Sequence, residues 1–278
     1  MNYHDLNFVT NRITNSGTQI IDNQGVNENS NRLILLHGFT QQANSFLHLI
    51  AEMQKQISID HPNYVLEAIT IDLPGHGANK DIELSPKELA DQIATLGPAH
   101  ILGYSLGGRS ALLCAILHPE KVNSLILISA TAGIEDPSEI KKRREDDFQL
   151  ANEIFNLGDE RLEEFLEKWL SSPLFSNIKS KQDEIELRKS NSAKGLAYSL
   201  MNHGQASFEP LWNRLIEVKA RTLILNGSAD EKYCAIGKKL QEEIDQSRQL
   251  IFQDLGHSLH LESPSKVTRE VLAFITAQ

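Results

Sequence analysis

Apolar residues along this chain fall mainly into short unbroken runs rather than into alternation with polar ones. Runs at Arg32–Leu36, Tyr64–Ile71, His100–Leu102, Ser124–Ile128, Arg221–Leu225 and Gln249–Phe252 are dominated by Leu and Ile. A strand reads this way when both of its faces are covered. Between them lie helix-patterned segments, among them Ser85–Leu96, Leu106–Leu117 and Val267–Ile275. Strands separated by helices predict an α/β fold, with a mostly parallel sheet, right-handed crossovers and helices flanking it. The first 30 residues are polar and rich in Asn and Gly, which suits an antiparallel edge hairpin ahead of the parallel part.

The alternation stops between Thr131 and Ala220. No strand pattern occurs there, and 30 of the 90 residues are charged, against 23% for the whole chain. Asp136-Pro137-Ser138-Glu139 reads as a helix start, with Asp136 as N-cap and Pro137 in the first turn. Leu162, Phe165, Leu166 and Trp169 recur at helical spacing. The chain is therefore expected to divide into a core of residues 1–130 and 221–278 and a helical insertion of residues 131–220. Such an insertion is expected to form a lid over the carboxyl edge of the sheet.

Composition narrows the partners. The hydrophobic fraction of 40% over 278 residues is ordinary for a packed globular chain. A formal net charge of −10 gives no general attraction to nucleic acid or to an anionic membrane surface. Apolar runs such as Leu125–Ile128 fall far short of a membrane span, and MNYHDLNFVTNRITNSG lacks the apolar centre of a signal peptide. Cys114 and Cys234 have no CxxC or neighbouring His, so neither a disulfide framework nor zinc is expected. The expected protein is cytoplasmic, with no metal and a small molecule as its ligand.

The strongest chemical signal is Gly103-Tyr104-Ser105-Leu106-Gly107, a G-x-S-x-G between a strand and a helix. A tight turn there thrusts the Ser105 hydroxyl above the sheet edge, and small residues permit the close approach. The helix start offers the Leu106 N–H and a positive dipole end to developing negative charge. A strand running into a loop places Asp230 later in the chain, and Leu255-Gly256-His257 follows the last strand. Ser105, Asp230 and His257 stand in the order serine, acid, histidine. Asp230 would orient His257, which would take the serine proton. Glu231 and His260 are the rival acid and base. The loop after the first parallel strand, Leu36-His37-Gly38-Phe39, offers the Phe39 N–H as a second oxyanion donor. His37 suits a role in holding that loop, and Asp72-Leu73-Pro74-Gly75-His76-Gly77 reads as scaffold.

From about residue 30 onward these elements make the chain resemble an α/β-hydrolase. Several stretches point further: Gly103-Tyr104-Ser105-Leu106-Gly107-Gly108-Arg109, Gly133-Ile134-Glu135-Asp136 with Lys142-Arg143-Arg144, and Lys168-Trp169-Leu170. Pro173-Leu174-Phe175 follows, and Leu187-Arg188-Lys189-Ser190-Asn191, Asp230-Glu231-Lys232-Tyr233 and Gly256-His257-Ser258-Leu259-His260-Leu261-Glu262-Ser263-Pro264 complete the set. Together they resemble the 2-succinyl-6-hydroxy-2,4-cyclohexadiene-1-carboxylate synthases of menaquinone and phylloquinone biosynthesis. The resemblance implies a lyase without metal or organic cofactor. It would eliminate pyruvate from 2-succinyl-5-enolpyruvyl-6-hydroxy-3-cyclohexene-1-carboxylate, with the triad making Ser105 a base that removes a ring proton alpha to a carboxylate.

A polycarboxylate substrate calls for cations, preferably guanidinium forks. Arg109 lies one helical turn past Ser105 and can face the same mouth. The resemblance adds Arg143, Arg188 and Trp169 as substrate-binding residues of the lid, and Tyr104, Phe39 and His37 as further candidates at the site. Read without it, Arg143 belongs to a charged helix face beside Arg144, and Arg188 has Glu184 and Glu186 to pair with. The same triad also suits a serine hydrolase of esters or carbon–carbon bonds, and more remotely a non-enzymatic ligand-binding protein on this fold.

Overall fold

A computed structural model describes residues 6–21 and 31–277. Among these residues eight strands form one sheet: β1 (Phe8–Thr14), β2 (Gly17–Ile21), β3 (Asn31–Leu36), β4 (Leu66–Ile71), β5 (Ala99–Tyr104), β6 (Val122–Ile128), β7 (Arg221–Gly227) and β8 (Ser247–Phe252). Their order is β2-β1-β4-β3-β5-β6-β7-β8. β1 pairs antiparallel with β2 and β4, and every other pairing is parallel. The expected edge hairpin is thus β1–β2; residues 1–5 and 22–30 of the polar N-terminal stretch lie outside the described residues.

The missing polar alternation has a direct cause. Successive strand residues face opposite sides, and both sides are covered. Ile34, Leu36, Ile69, Ile71, Leu125 and Leu127 join one apolar cluster. Their neighbours Leu33, Leu35, Leu66, Ala68, Ile126 and Ile128 join another. Helix α1 (Leu47–Asp60) contributes Leu49, Met53 and Ile57 to the second layer. Helices α2 (Pro86–Thr95) and α3 (Leu106–Leu117) cover the first. Ser85 starts α2 with a capping box to Glu88.

Residues 131–220 hold α4 (Pro137–Leu157), α5 (Leu162–Ser171), α6 (Lys181–Arg188) and α7 (Ala193–His203), and no strand. Asp136 caps α4, its carboxylate accepting the Ser138 and Glu139 amides at 2.8 and 3.0 Å. These helices have their own core, in which Ile154, Phe165, Leu166, Leu196 and Leu200 pack together. Phe39, from the loop after β3, packs against it, so the insertion sits on the carboxyl edge of the sheet. Beyond it follow α8 (Glu231–Glu243), α9 (Leu259–Glu262) and α10 (Pro264–Thr276). Val267, Val271 and Leu272 of α10 return to the second layer.

Candidate active site

β5 ends at Tyr104 and α3 begins at Leu106, so Ser105 alone makes the turn between them. Its backbone lies at φ 51° and ψ −106°, a region that residues with a Cβ occupy only under strain. Two glycines make the turn possible. A Cβ on Gly103 would strike the Gly107 carbonyl, and one on Gly107 the Leu36 carbonyl. Two backbone hydrogen bonds hold the strained residue: Ser105 N–H donates to Ile128 at 2.9 Å and Gly107 N–H to His37 at 3.0 Å.

Amides around the serine are not equally engaged. Gly38 N–H donates to Gln41 Oε1 at 3.1 Å and Thr40 N–H to His76 Nε2 at 3.2 Å. Between them, the Phe39 N–H meets no acceptor among the described residues, and the same holds for Leu106 N–H at the start of α3. Two unspent donors beside a raised hydroxyl suit a negatively charged oxygen. His37 organises this loop. Its Nδ1–H donates to the Gly38 carbonyl at 2.8 Å and its Nε2 accepts from Leu73 N–H at 2.9 Å. Burial pushes its imidazole down to about 4 and keeps it neutral. It does not reach the cavity wall, which accords with its loop-holding reading rather than with contact to substrate.

His257 enters from the loop between β8 and α9. Its Nδ1 lies 2.6 Å from Asp230 Oδ2, and the two are only 2% and 9% exposed. Donation from Nδ1 leaves Nε2 as the basic nitrogen of the ring. Tyr104 and Tyr233 pack edge-on against the imidazole, at 5.4 and 4.6 Å between ring centres. Asp230 also caps α8. The rivals go elsewhere. Glu231 is exposed, while His260 is fully buried against Tyr104 and bonded to Gln41 at 3.1 Å. Ser105, Asp230 and His257 share one cavity of about 490 Å³, together with Phe39, Leu106 and Trp169.

Residues 33–271 match the alpha/beta hydrolase family. This chain belongs to that family. Similarity to individual members is narrower. A Bacillus subtilis (strain 168) protein named provisionally as a 2-succinyl-6-hydroxy-2,4-cyclohexadiene-1-carboxylate synthase is 33% identical over 89% of this chain and 91% of its own. The synthase of that name from Enterobacter sp. (strain 638) is 28% identical over 84% of this chain and 88% of its own. Among solved structures, MenH from S. aureus superposes with a TM-score of 0.79 at 27% identity, covering 96% of this chain and 97% of that one. An esterase from Thermogutta terrifontis, with a TM-score of 0.72 at 19% identity over 97% of this chain and 94% of its own, shares the fold.

On this hydrolase scaffold the cations divide. Arg109 and Arg143 reach the cavity wall, and so does Lys232, which the sequence reading passed over. Arg109 is 5% exposed; one Nη donates to the His203 carbonyl at 2.8 Å, and its Nε is buried without a partner among the described residues. Burial lowers its guanidinium to about 10, so it stays charged at neutral pH. Arg143 donates to Asp147 at 2.7 Å and to Gln205 at 3.2 Å. Arg144, the alternative in register, turns to the Ala206 carbonyl and to a separate surface cleft.

Arg188 is absent from the wall of this cavity. It is 1% exposed and bonds Glu184 at 2.7 Å and Thr40 Oγ1 at 2.8 Å, pinning α6 to the loop that carries Phe39. Trp169 lines the cavity, stacks on Phe165 at 6.1 Å and meets Phe39 edge-on at 5.4 Å; its indole N–H has no partner among the described residues. Tyr104 lines it too, with its hydroxyl 2.8 Å from Ser258 Oγ.

Sequence reasoning gave no role to four further polar residues here. Asp147 is 5% exposed on the wall, and burial raises its carboxyl against the pull of Arg143. Gln205 and Tyr233 lie beside it in the same cavity. Glu262 accepts Gly256 N–H at 2.5 Å and Ser258 N–H at 2.9 Å, gripping the backbone on both sides of His257. The only sequence signal for Glu262 is an acid shortly after the Gly-His pair. Among the described residues no group of three or more His, Cys, Asp or Glu is placed to hold a metal ion. No helix among them is long and apolar enough to cross a membrane.

Proposed function

We infer that this protein eliminates pyruvate from 2-succinyl-5-enolpyruvyl-6-hydroxy-3-cyclohexene-1-carboxylate to give 2-succinyl-6-hydroxy-2,4-cyclohexadiene-1-carboxylate. The observation that carries the reading is the placement of two guanidiniums, Arg109 and Arg143, on the wall that holds Ser105 and His257. A substrate with several carboxylates needs such groups, and a simple ester does not. Similarity to proteins bearing the synthase name supports the same reaction.

The names of substrate and product locate the proton that leaves. The ring double bond at position 3 becomes a 2,4-diene, so hydrogen departs from position 2 as the oxygen at position 5 leaves. Position 2 bears the succinyl carbonyl. The proton is therefore alpha to that ketone, not to a carboxylate as the resemblance first implied, and negative charge develops on the ketone oxygen. Phe39 and Leu106 amides receive that oxygen. His257, oriented by Asp230, takes the proton of Ser105 while the serine oxygen takes the ring proton. Electrons move through the ring to expel enolpyruvate, which gains a proton at carbon and becomes pyruvate. No acyl-enzyme forms.

Arg109 and Arg143 hold substrate carboxylates, with Trp169 and Tyr104 lining the ring's surroundings. The same reading puts the protein in the cytoplasm, where the unpaired thiols Cys114 and Cys234 stay reduced. The test is to supply the enolpyruvyl substrate and follow pyruvate release in a coupled assay. Wild type should turn over, and Ser105→Ala should lose about 10³-fold or more in kcat. Ester hydrolysis without pyruvate release would instead favour a serine hydrolase.

A further inference from the structure

One polar chain in the cavity wall runs from Arg143 to two residues that no step above uses. Arg143 Nη1 lies 3.2 Å from Gln205 Oε1, and Gln205 Nε2 lies 2.7 Å from the Tyr233 hydroxyl oxygen. The chain crosses from α4 of the insertion, through the loop after α7, to α8 of the core.

Its polarity follows from charge. A guanidinium can only donate, so Gln205 must turn its carbonyl oxygen toward Arg143. That leaves its NH2 facing Tyr233, and the phenol oxygen must act as acceptor. The phenol proton is then left over. Among the described residues the Tyr233 hydroxyl has no acceptor, although Tyr233 is only 6% exposed and lines the cavity. Its ring lies edge-on to His257 at 4.6 Å. Burial raises the phenol above its ordinary range, so the proton is retained at neutral pH.

We propose that Tyr233 is a substrate-binding donor, and that Gln205 is a positioning residue that aims its O–H into the cavity under the direction of Arg143. The group it takes is an anionic oxygen, one carboxylate of the substrate, which meets the phenol O–H on one side and the Arg143 guanidinium on the other. A buried donor facing such an oxygen also selects against analogues that lack it, because the hydroxyl would be left unpaired. The proposal rests on the pyruvate-elimination reading.

Two substitutions test it. Tyr233→Phe removes the donor, and kcat/KM for pyruvate release should fall about tenfold, mainly through KM. Gln205→Glu keeps the acceptor for Arg143 but places a carboxylate oxygen against Tyr233, so the phenol must donate inward instead. It should reproduce the tenfold loss in the wild-type background and cost less than about twofold in the Tyr233→Phe background.

Three results would overturn the assignment. Tyr233→Phe could match wild type; Gln205→Glu could keep full kcat/KM while Tyr233→Phe loses it; or the Gln205→Glu loss could persist undiminished in the double variant, which would mark simple repulsion of the substrate. Should Tyr233→Phe fail to fold, fluorotyrosine at position 233 serves instead. It is a stronger donor with the same hydroxyl, and should lower KM about twofold; an unchanged or higher KM refutes the inference. A wild-type protein that releases no pyruvate would overturn the functional reading before any variant is compared.

Discussion

Replacing Glu262 by Gln changes one atom's chemistry in the clamp around His257. The carboxylate accepts Gly256 N–H at 2.5 Å and Ser258 N–H at 2.9 Å, and Glu262 is 7% exposed. A carboxamide can accept one of these amides through its oxygen, but must face the other with its own NH2. One charge-assisted hydrogen bond, worth about 2 kcal/mol, is lost, and a buried amide is left opposite a donor at a cost of about 1 kcal/mol more. The expected destabilisation is about 3 kcal/mol. For a chain of this size that lowers Tm by roughly 6 °C.

The backbone that relaxes is the one that carries His257, so the effect reaches the chemistry. Displacement of the imidazole by a fraction of an ångström should lower kcat about tenfold or more with little change in KM. Thermal unfolding followed by circular dichroism measures the first quantity, and steady-state pyruvate release the second. A Glu262→Gln variant with unchanged Tm and unchanged kcat would refute the clamp. A fall in Tm with kcat intact would show that Glu262 supports the loop without aligning the histidine.

Acid should unfold the protein through its buried histidines. Burial lowers His37, His100 and His203 to about 4 from 6.5, so between those values the unfolded chain binds protons that the folded one refuses. Each group's stability is whole above pH 6.5 and falls by up to about 3 kcal/mol as pH drops toward 4. Urea midpoints measured across that window should decline, and a flat profile would count against neutral burial. Arg188→Met would strand the buried Glu184 carboxylate and cost about 3–5 kcal/mol by denaturant titration; adding Glu184→Leu should recover most of that. Arg143→Ala should raise KM about tenfold, whereas Arg144→Ala should alter it less than about twofold; equal effects would contradict the division between two clefts.

Much of the scaffold was legible because burial on both faces erases alternation. Runs such as Leu33–Leu36 and Leu125–Ile128 carry no polar residue, and their alternate members enter the two apolar layers. The gathering of Ser105, Asp230 and His257 in one cavity was legible as well, since each sits where a parallel strand hands over to a loop or helix. Local turn chemistry announces those points, as Gly103 and Gly107 do around Ser105. The cations of residues 131–220 were harder. Arg143 and Arg144 differ by about 100° around one helix, and only the packing of α4 on α7 decides which faces the cavity. For Arg188, the nearby Glu184 was visible four residues before it, and burial turned that pair into a brace.

By itself the sequence determined the sheet, its two apolar layers, the strained serine turn and the identity of the groups that follow each strand. These depend on residue volume, chain stiffness and hydrogen bonds spanning a few positions, all of which a linear pattern records. Tertiary structure alone decided which charges face the cavity and which are spent inside the wall. It also set the direction of the Arg143–Gln205–Tyr233 chain and the grip of Glu262 on the His257 loop. Those relations join residues distant in sequence or reversed in direction, and their energies depend on burial and on the one partner each donor can reach.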